Sequence, residues 1–416
     1  MRPGGTRTRD LWFQRRDRAE VDNNRQQIRI DESTSWLGAS AVNTREIRPD
    51  TEKTRRIEAD RRRGLPCQSA LRKGRSSEAR SRGEATSSVL QRRVARARRP
   101  GGPEVIEVVL EDVTALRDGE VLVHVEAVGL NHAETLIRSG SYVVQVPFPY
   151  PVGGEGAGSV LEAGPGVAIR RGTRVCWAAI LGSCATRLVA PAAMLVPLPD
   201  ALSLEDGACL PVAGLTAGGL VRVWPLAEGS IALVWAAAGA IGRMLIALLA
   251  DRGVRVIGIA SGERVKGVRA AGATYVIDRT VENVAEAVRA HTDGRLCAAV
   301  FDPIGAATYQ TSLCLLAPRG CLISYGELSG PLPAIDPRDL FSGSVFVTRF
   351  NGTRWLNGLE DLASLVSDAL ALAVKRPAVI SEVAGRFPLD RVVDAYRALE
   401  ASPKGKIIVI PEPPDR

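Results

Sequence analysis

Three histidines in 416 residues, His124, His132 and His291, are too few and too scattered for a catalytic zinc site, which takes three or so Cys, His or carboxylate ligands. The seven cysteines, Cys67, Cys176, Cys184, Cys209, Cys297, Cys314 and Cys321, contain no CxxC pair and no histidine at metal spacing. That excludes a four-cysteine zinc lobe. An odd, scattered set also argues against a disulfide framework and fits buried, reduced thiols in a reducing compartment. There is no run of eighteen apolar residues for a membrane-spanning helix and no signal-peptide core, so the chain is expected in the cytoplasm, without a membrane partner.

Charge is divided unevenly. Residues 1–100 hold 26 Lys and Arg against 13 Asp and Glu, a surplus of 13; the whole chain carries +8, so the rest carries −5. A basic surplus can serve nucleic acid, but these arginines lie among Ser, Gln, Asn and acids without amphipathic period or interleaved aromatics, and no nucleic-acid partner is expected. A mitochondrial presequence is nearly free of acids, whereas Asp10, Asp17, Glu20 and Asp22 interrupt this segment. Residues 1–87 read as a disordered basic leader, too polar to bury the surface that would offset ordering.

Order is expected from near Val89. In VLVHVEAV, 121–128, Val121, Val123, Val125 and Ala127 alternate onto one face, as in a strand. Glycines then punctuate the chain through GGEGAG (153–158) and GPGV (164–167), and that density of turns predicts a β-barrel-like domain. After Pro211 the texture changes: IALVW (231–235), VRVIGIA (254–260), TYVI (274–277), AAVF (298–301), CLISY (321–325) and SVFVT (344–348) alternate with helical stretches. Such alternation predicts βαβ units and a parallel sheet wound on both sides. Two helices and a closing strand, KIIVI, follow Arg349. The closing strand is expected to return to the first domain. The predicted division is therefore a catalytic domain over 88–212 completed by 350–416, and a dinucleotide-binding domain over 213–349.

The sharpest local signal is IALVWAAAGAIGRMLIALLADRG, 231–253. A buried strand runs into a tight turn with Ala237, Gly239 and Gly242, then into a helix. Gly239, Ala240 and Ile241 let backbone approach a pyrophosphate, and Gly242 lets helix and strand pack closely. The helix N-terminus adds free N–H groups and partial positive charge. Beyond the next strand come Ser261, Gly262, Glu263 and Arg264, with no acid at the strand end to hold a ribose 2′-hydroxyl. Ser261 and Arg264 suit a 2′-phosphate, which points to NADPH. Glu263 is the competing group; its place in a first helical turn makes it a solvated carboxylate.

From about 96 to 411 the chain resembles the zinc-free quinone oxidoreductases, the zeta-crystallin-like branch of the medium-chain dehydrogenases. NHAETLIRSGSY (131–142), PVGGEGAGSVLEAGPGV, LPVAGLTA, AAAGAIG, AAGATYVIDR, VFDPIG, LISYGELSG, FVTR and KGKIIVI follow that family's order and spacing. The resemblance implies an α/β fold, a GroES-like β-barrel catalytic domain plus a Rossmann doubly wound parallel sheet, with NADPH in the cleft and commonly a homodimer joined through the Rossmann sheet. It places Asn131 and Tyr142 beside nicotinamide and substrate, Thr216 near the nicotinamide ribose, Arg264 and Arg279 near the 2′-phosphate, and Gly326 and Arg349 along the rest of the cofactor. Three positions depart from the pattern: Leu136 replaces a tyrosine common in the pocket, His132 replaces an aromatic residue, and Arg279 stands where relatives often have tyrosine. Zinc-dependent relatives carry a cysteine ligand at Asn131 and a Gly-His-Glu at Gly153, Gly154, Glu155.

Without a metal, the expected chemistry is hydride delivery from NADPH to a quinone or a conjugated enone. Tyr142 would donate a hydrogen bond to a developing enolate or phenolate, and Asn131 would anchor a ribose or substrate oxygen; His132 is expected to be a packed or surface residue. Two alternatives stay open: an enoyl or alkenal reductase of the same fold, and a non-catalytic NADPH-sensing or RNA-binding protein that uses the basic leader. Deleting residues 1–86 should leave the melting temperature and the reductase rate almost unchanged; a large drop in either would mean that the leader packs on the enzyme.

Overall fold

The computed structural model describes residues 90–143, 145–352, 358–401 and 403–411; the leader lies outside them. The chain opens with β1 (Gln91–Ala97) and β2 (Ile106–Asp112), an antiparallel pair whose β1 also meets β4 (Tyr150–Pro151). Next come β3 (Glu120–Gly129), α1 (His132–Ser139), β5 (Glu155–Ala163), β6 (Arg174–Ala178), β7 (Arg187–Pro191) and β8 (Val196–Pro197). The alternation in β3 is realised: Val121, Val123, Val125 and Ala127 are all 1% exposed or less.

The glycines at 156 and 158 do not make turns. They lie inside β5, a nine-residue strand between β3 and β6. A Cβ on Gly158 would sit 1.9 Å from the His124 carbonyl oxygen, and one on Gly156 would strike the Trp177 ring at 2.7 Å and the Ala127 oxygen at 2.8 Å. Reading this run as turns missed the reason for the glycines: the β3–β5 register shifts between Val125 and Ala127, and only a residue without Cβ tolerates the close backbone approach there. Gly166, by contrast, does take a left-handed φ of 73°.

Two short helices, α2 (Leu204–Cys209) and α3 (Pro211–Leu220), lead to the second sheet. Its strands are β9 (Ile231–Val234), β10 (Arg255–Ala260), β11 (Tyr275–Asp278), β12 (Cys297–Asp302), β13 (Leu316–Ser324) and β14 (Phe346–Arg349). All pair in parallel, in the order β11-β10-β9-β12-β13-β14. Between them run α4 (Ala240–Ala250), α5 (Val265–Ala270), α6 (Val284–His291) and α7 (Tyr309–Cys314). Leu233, Ile257, Val300 and Leu322, one from each of four strands, are fully buried together; each contributes about 1.5–3 kcal/mol by leaving water. The order reverses between β9 and β12, and ligands of open parallel sheets bind outside the strand ends at such a reversal.

The chain then returns through α8 (Leu359–Lys375), β15 (Val383–Pro388), α9 (Val392–Glu400) and β16 (Lys406–Ile410). β16 pairs antiparallel with β3, Ile408 opposite Gly129 and Val409 opposite Val128, so the last strand completes the first sheet. α8 packs on α3 so closely that a Cβ on Gly214 would lie 2.2 Å from that of Ala369. Five of the six described cysteines are buried, as expected; Cys314, at the end of α7, is exposed. Among the described residues no helix is long and apolar enough to cross a membrane.

Candidate active site

Asn131 ends the β3 connection and caps α1; Glu134 closes the capping box by accepting from the Asn131 backbone N–H at 3.2 Å. The Asn131 side chain is held at both ends. Its Nδ2 donates to Glu155 Oε1 at 2.8 Å, and its Oδ1 accepts from Lys406 Nζ at 2.8 Å. Lys406 is also ion-paired with Glu155, with 8% and 0% of their side chains exposed. The second Glu155 oxygen accepts from the Val212 backbone N–H at 2.8 Å, at the start of α3. Thr216 stands one turn further along that helix and is half-buried. Burial alone would lower the Lys406 pKa, but the Glu155 carboxylate and its acidic neighbours outweigh it and the net direction is upward.

Behind this group, Tyr396 donates its hydroxyl to Glu134 Oε2. Burial pushes the Glu134 carboxyl up to about 7, against the opposing pull of the Tyr396 hydrogen bond and the Lys406 charge. His132, the first residue of α1, is exposed at the surface. Its pKa is held down by partial desolvation and by the Lys406 charge, so its imidazole is neutral at pH 7 and is a poor general acid.

Tyr142 follows α1 and is half-buried. Burial raises its pKa, with Arg349 and Glu327 acting on it in opposite directions, so the phenol keeps its proton at neutral pH and can donate it in a hydrogen bond. Arg349, at the end of β14, donates to Ser324 Oγ at 3.0 Å and to the Gly326 carbonyl at 2.9 Å, and pairs with Glu327 at 3.1 Å. It thereby fixes the loop leaving β13. Gly326 is pressed on Pro303, whose oxygen would lie 2.5 Å from an added Cβ. Asp302 fixes the loop leaving β12: fully buried, it accepts from the Ile304 and Gly305 backbones and from the Thr308 and Ser312 hydroxyls, at 2.7–3.2 Å.

The β9–α4 turn has the shape a pyrophosphate needs. Ala236 adopts φ 49°, and Gly239 is the N-cap of an eleven-residue helix with no capping side chain and no acid in its first turn. The first N–H groups of that helix, from Ala240, Ile241 and Gly242, are therefore left for an anion. A Cβ on Gly242 would meet Ala236 oxygen at 2.5 Å and Ala237 Cα at 2.8 Å, whereas one on Gly239 would meet only Ala236 oxygen, at 3.3 Å; helix and strand touch at Gly242, and Gly239 is crowded only by a carbonyl of its own turn. At the end of β10, Arg279 Nε donates to Ser261 Oγ at 2.9 Å. Arg264 ends the 3-10 turn Gly262–Arg264 nearby and is half-buried. Among the described residues no hydrogen bond joins Arg264 to Ser261 or Arg279, and Glu263 is exposed in that turn.

Sequence reading placed Asn131 in the site but missed what holds it. Glu155 was noted within the glycine run and at the Gly-His-Glu position of zinc-dependent relatives, and Lys406 only as the start of KIIVI. The available signal was a lone acid amid glycines and a lysine opening an apolar strand.

A barrel-like lobe closed by the C-terminal strand and joined to a six-stranded dinucleotide sheet is the architecture of the medium-chain dehydrogenases. Residues 117–200 match the family model described as the alcohol dehydrogenase GroES-like domain, and residues 240–368 the one described as zinc-binding dehydrogenase. The chain is 35% identical over 319 residues to a quinone oxidoreductase of Pseudomonas aeruginosa, covering 75% of this chain and 97% of that one. It is 32% identical over 325 residues to a 2-haloacrylate reductase of a Burkholderia species, with the same coverage. The crystal structure of the Escherichia coli quinone oxidoreductase complexed with NADPH superposes with a TM-score of 0.70 at 30% identity, over 77% of this chain and all of that one. The chain belongs to the quinone oxidoreductase branch of the medium-chain dehydrogenase/reductase superfamily. Among the described residues no group of three His, Cys, Asp or Glu side chains could hold a metal, and Asn131 accepts a hydrogen bond from the Lys406 ammonium group.

The buried Glu134 makes stability depend on pH. Its folded pKa of about 7 lies above its ordinary value of 4.5, so its contribution is fully present below pH 4.5 and is lost as pH rises through 7. Glu134→Gln should therefore gain on the wild type between pH 5 and 8 by up to about 3 kcal/mol in urea melts. Parallel pH dependences of the two proteins would contradict this.

Proposed function

We propose that this protein is an NADPH-dependent reductase of quinones and conjugated enones that works without a metal. The observation that carries the proposal is the open glycine turn at the sheet's reversal point, leading to a corner where Ser261 and Arg279 are already joined. NADPH supplies the hydride when bound; the protein orients it and excludes water. Ala240, Ile241 and Gly242 hold the pyrophosphate, Ser261, Arg264 and Arg279 the 2′-phosphate, and Asn131 and Thr216 the nicotinamide end. Tyr142, kept protonated by its surroundings, donates a hydrogen bond to the oxygen on which charge develops. Gly326 and Arg349 shape the wall beside it.

Reduction of enones is favoured alongside that of quinones by the similarity to a 2-haloacrylate reductase. Both acceptors spread negative charge over a conjugated carbonyl, so one or two donors suffice. An alcohol must shed its hydroxyl proton as hydride departs, which metal-dependent enzymes assist by binding the alkoxide. A homodimer through the β14 edge is part of the same reading. That strand is the last in its sheet, and Phe346 and Phe341 beside it are 50% and 85% exposed, an unpaired apolar edge of the kind proteins cover. The free thiols suit a cytoplasmic setting.

Arg279→Ala or Arg264→Ala should weaken NADPH at least about tenfold while hardly changing NADH, because a charged hydrogen bond to phosphate contributes about 1.5–3 kcal/mol. Equal losses for both cofactors in fluorescence titrations would refute the 2′-phosphate assignment. Tyr142→Phe should lower turnover of a quinone or enone by about one to three powers of ten, and ethanol or benzyl alcohol should be poor substrates. Full activity of the phenylalanine variant would remove Tyr142 from the mechanism.

A further inference from the structure

A primary amide has one end that only accepts and one that only donates, and its two orientations differ little in shape. Around Asn131 they differ greatly in energy. Lys406 Nζ, which can only donate, lies 2.8 Å from Oδ1, and Glu155 Oε1, which as a carboxylate only accepts, lies 2.8 Å from Nδ2. Turning the amide over would set N–H against ammonium and carbonyl against carboxylate, exchanging two charge-assisted hydrogen bonds for two repulsions. The amide is therefore locked. It keeps one N–H hydrogen that is only weakly engaged by Glu134, at 3.4 Å, and the residue is only half-buried.

The ion pair that locks it is a costly device if stability were its only purpose. Two charges lose their water, and a well-packed apolar pair of the same volume is often as stable or more so. Glu155 and Lys406 are almost fully buried. The same carboxylate also accepts from the Val212 N–H, one turn before Thr216 on α3. One buried anion thus sets the amide of Asn131 and the start of the helix that carries Thr216, two groups from different segments of the chain.

We propose that Lys406 and Glu155 are positioning residues for hydride transfer: the buried pair fixes the donor and acceptor ends of Asn131 and registers them with Thr216, so that both meet the nicotinamide end of the cofactor in one geometry. This rests on the reading of Asn131 and Thr216 given above. Neither Lys406 nor Glu155 is assigned a contact with cofactor or substrate; Lys406 acts through Asn131, and Glu155 through Asn131 and the Val212 end of α3.

The test uses the full-length protein with NADPH and 1,4-benzoquinone. Lys406→Met alone strands a buried carboxylate and is expected to lower the melting temperature. The double variant Lys406→Met/Glu155→Gln removes both charges and should recover most of that loss. Its kcat should nevertheless stay at least about tenfold below wild type, as expected when reacting groups lose their alignment, with the NADPH Kd within about threefold, because the phosphate contacts are intact. Adding Asn131→Ala to the double variant should cause no further loss, since changes that act through one group are not additive. A fully active double variant, or losses that multiply when Asn131→Ala is added, would overturn the positioning role while leaving the site assignment in place. If Asn131→Ala alone kept full turnover and full NADPH affinity, the site reading itself would fall and the proposal with it.

Discussion

A carboxylate cut off from water must be matched by donors on every side, and Glu155 is matched by three that arrive from three separate segments. Asn131 comes from the end of β3, Val212 from the start of α3, and Lys406 from the last strand of the chain. Removing any one leaves buried charge or a buried N–H unpaired, at a cost of a few kcal/mol. The return of β16 to β3, the attachment of α3 to the first sheet and the setting of Asn131 are therefore one constraint. Asn131 and Thr216, the groups proposed for the nicotinamide end, both depend on it.

The opposite side is built with a different economy. Polar groups there stiffen loops at the strand ends: the buried Asp302 gathers four donors at the end of β12, and the exposed Arg349 ties the loop after β13 to the end of β14. Glycine does the rest, by absence of a side chain at Gly242 and Gly326, where helix, strand and loop backbones meet closer than any Cβ permits. Loops tied in this way around a helix N-terminus suit the proposed cofactor site, because dipoles that are already fixed need no reorganisation during a reaction.

Periodicity made the second sheet legible because buried parallel strands are short, apolar and evenly separated by helices; the glycine turn at 237–242 is equally local. Ser261 and Arg279 fall together because β10 and β11 are neighbours, which strand order alone foretells. The failures share a cause. Gly156 and Gly158 resembled turn residues, since a sequence does not say whether glycine bends a chain or lets another chain pass. Glu155 and Lys406 stand 251 positions apart, and no local pattern records a contact of that span. Arg349, expected along the cofactor, also donates to Ser324 and to the Gly326 carbonyl and pairs with Glu327, contacts within its own sheet that no local pattern announces.

Direct transfer of hydride from NADPH to a conjugated acceptor can be followed by isotopic labelling. With NADPH carrying deuterium at the transferred position of nicotinamide C4 and a conjugated enone as acceptor, deuterium is expected on the β-carbon of the saturated product. Single-turnover oxidation of the labelled cofactor should also be slower than that of the unlabelled one. Product without deuterium at that carbon, or no turnover of any enone or quinone while a simple alcohol is oxidised, would contradict it.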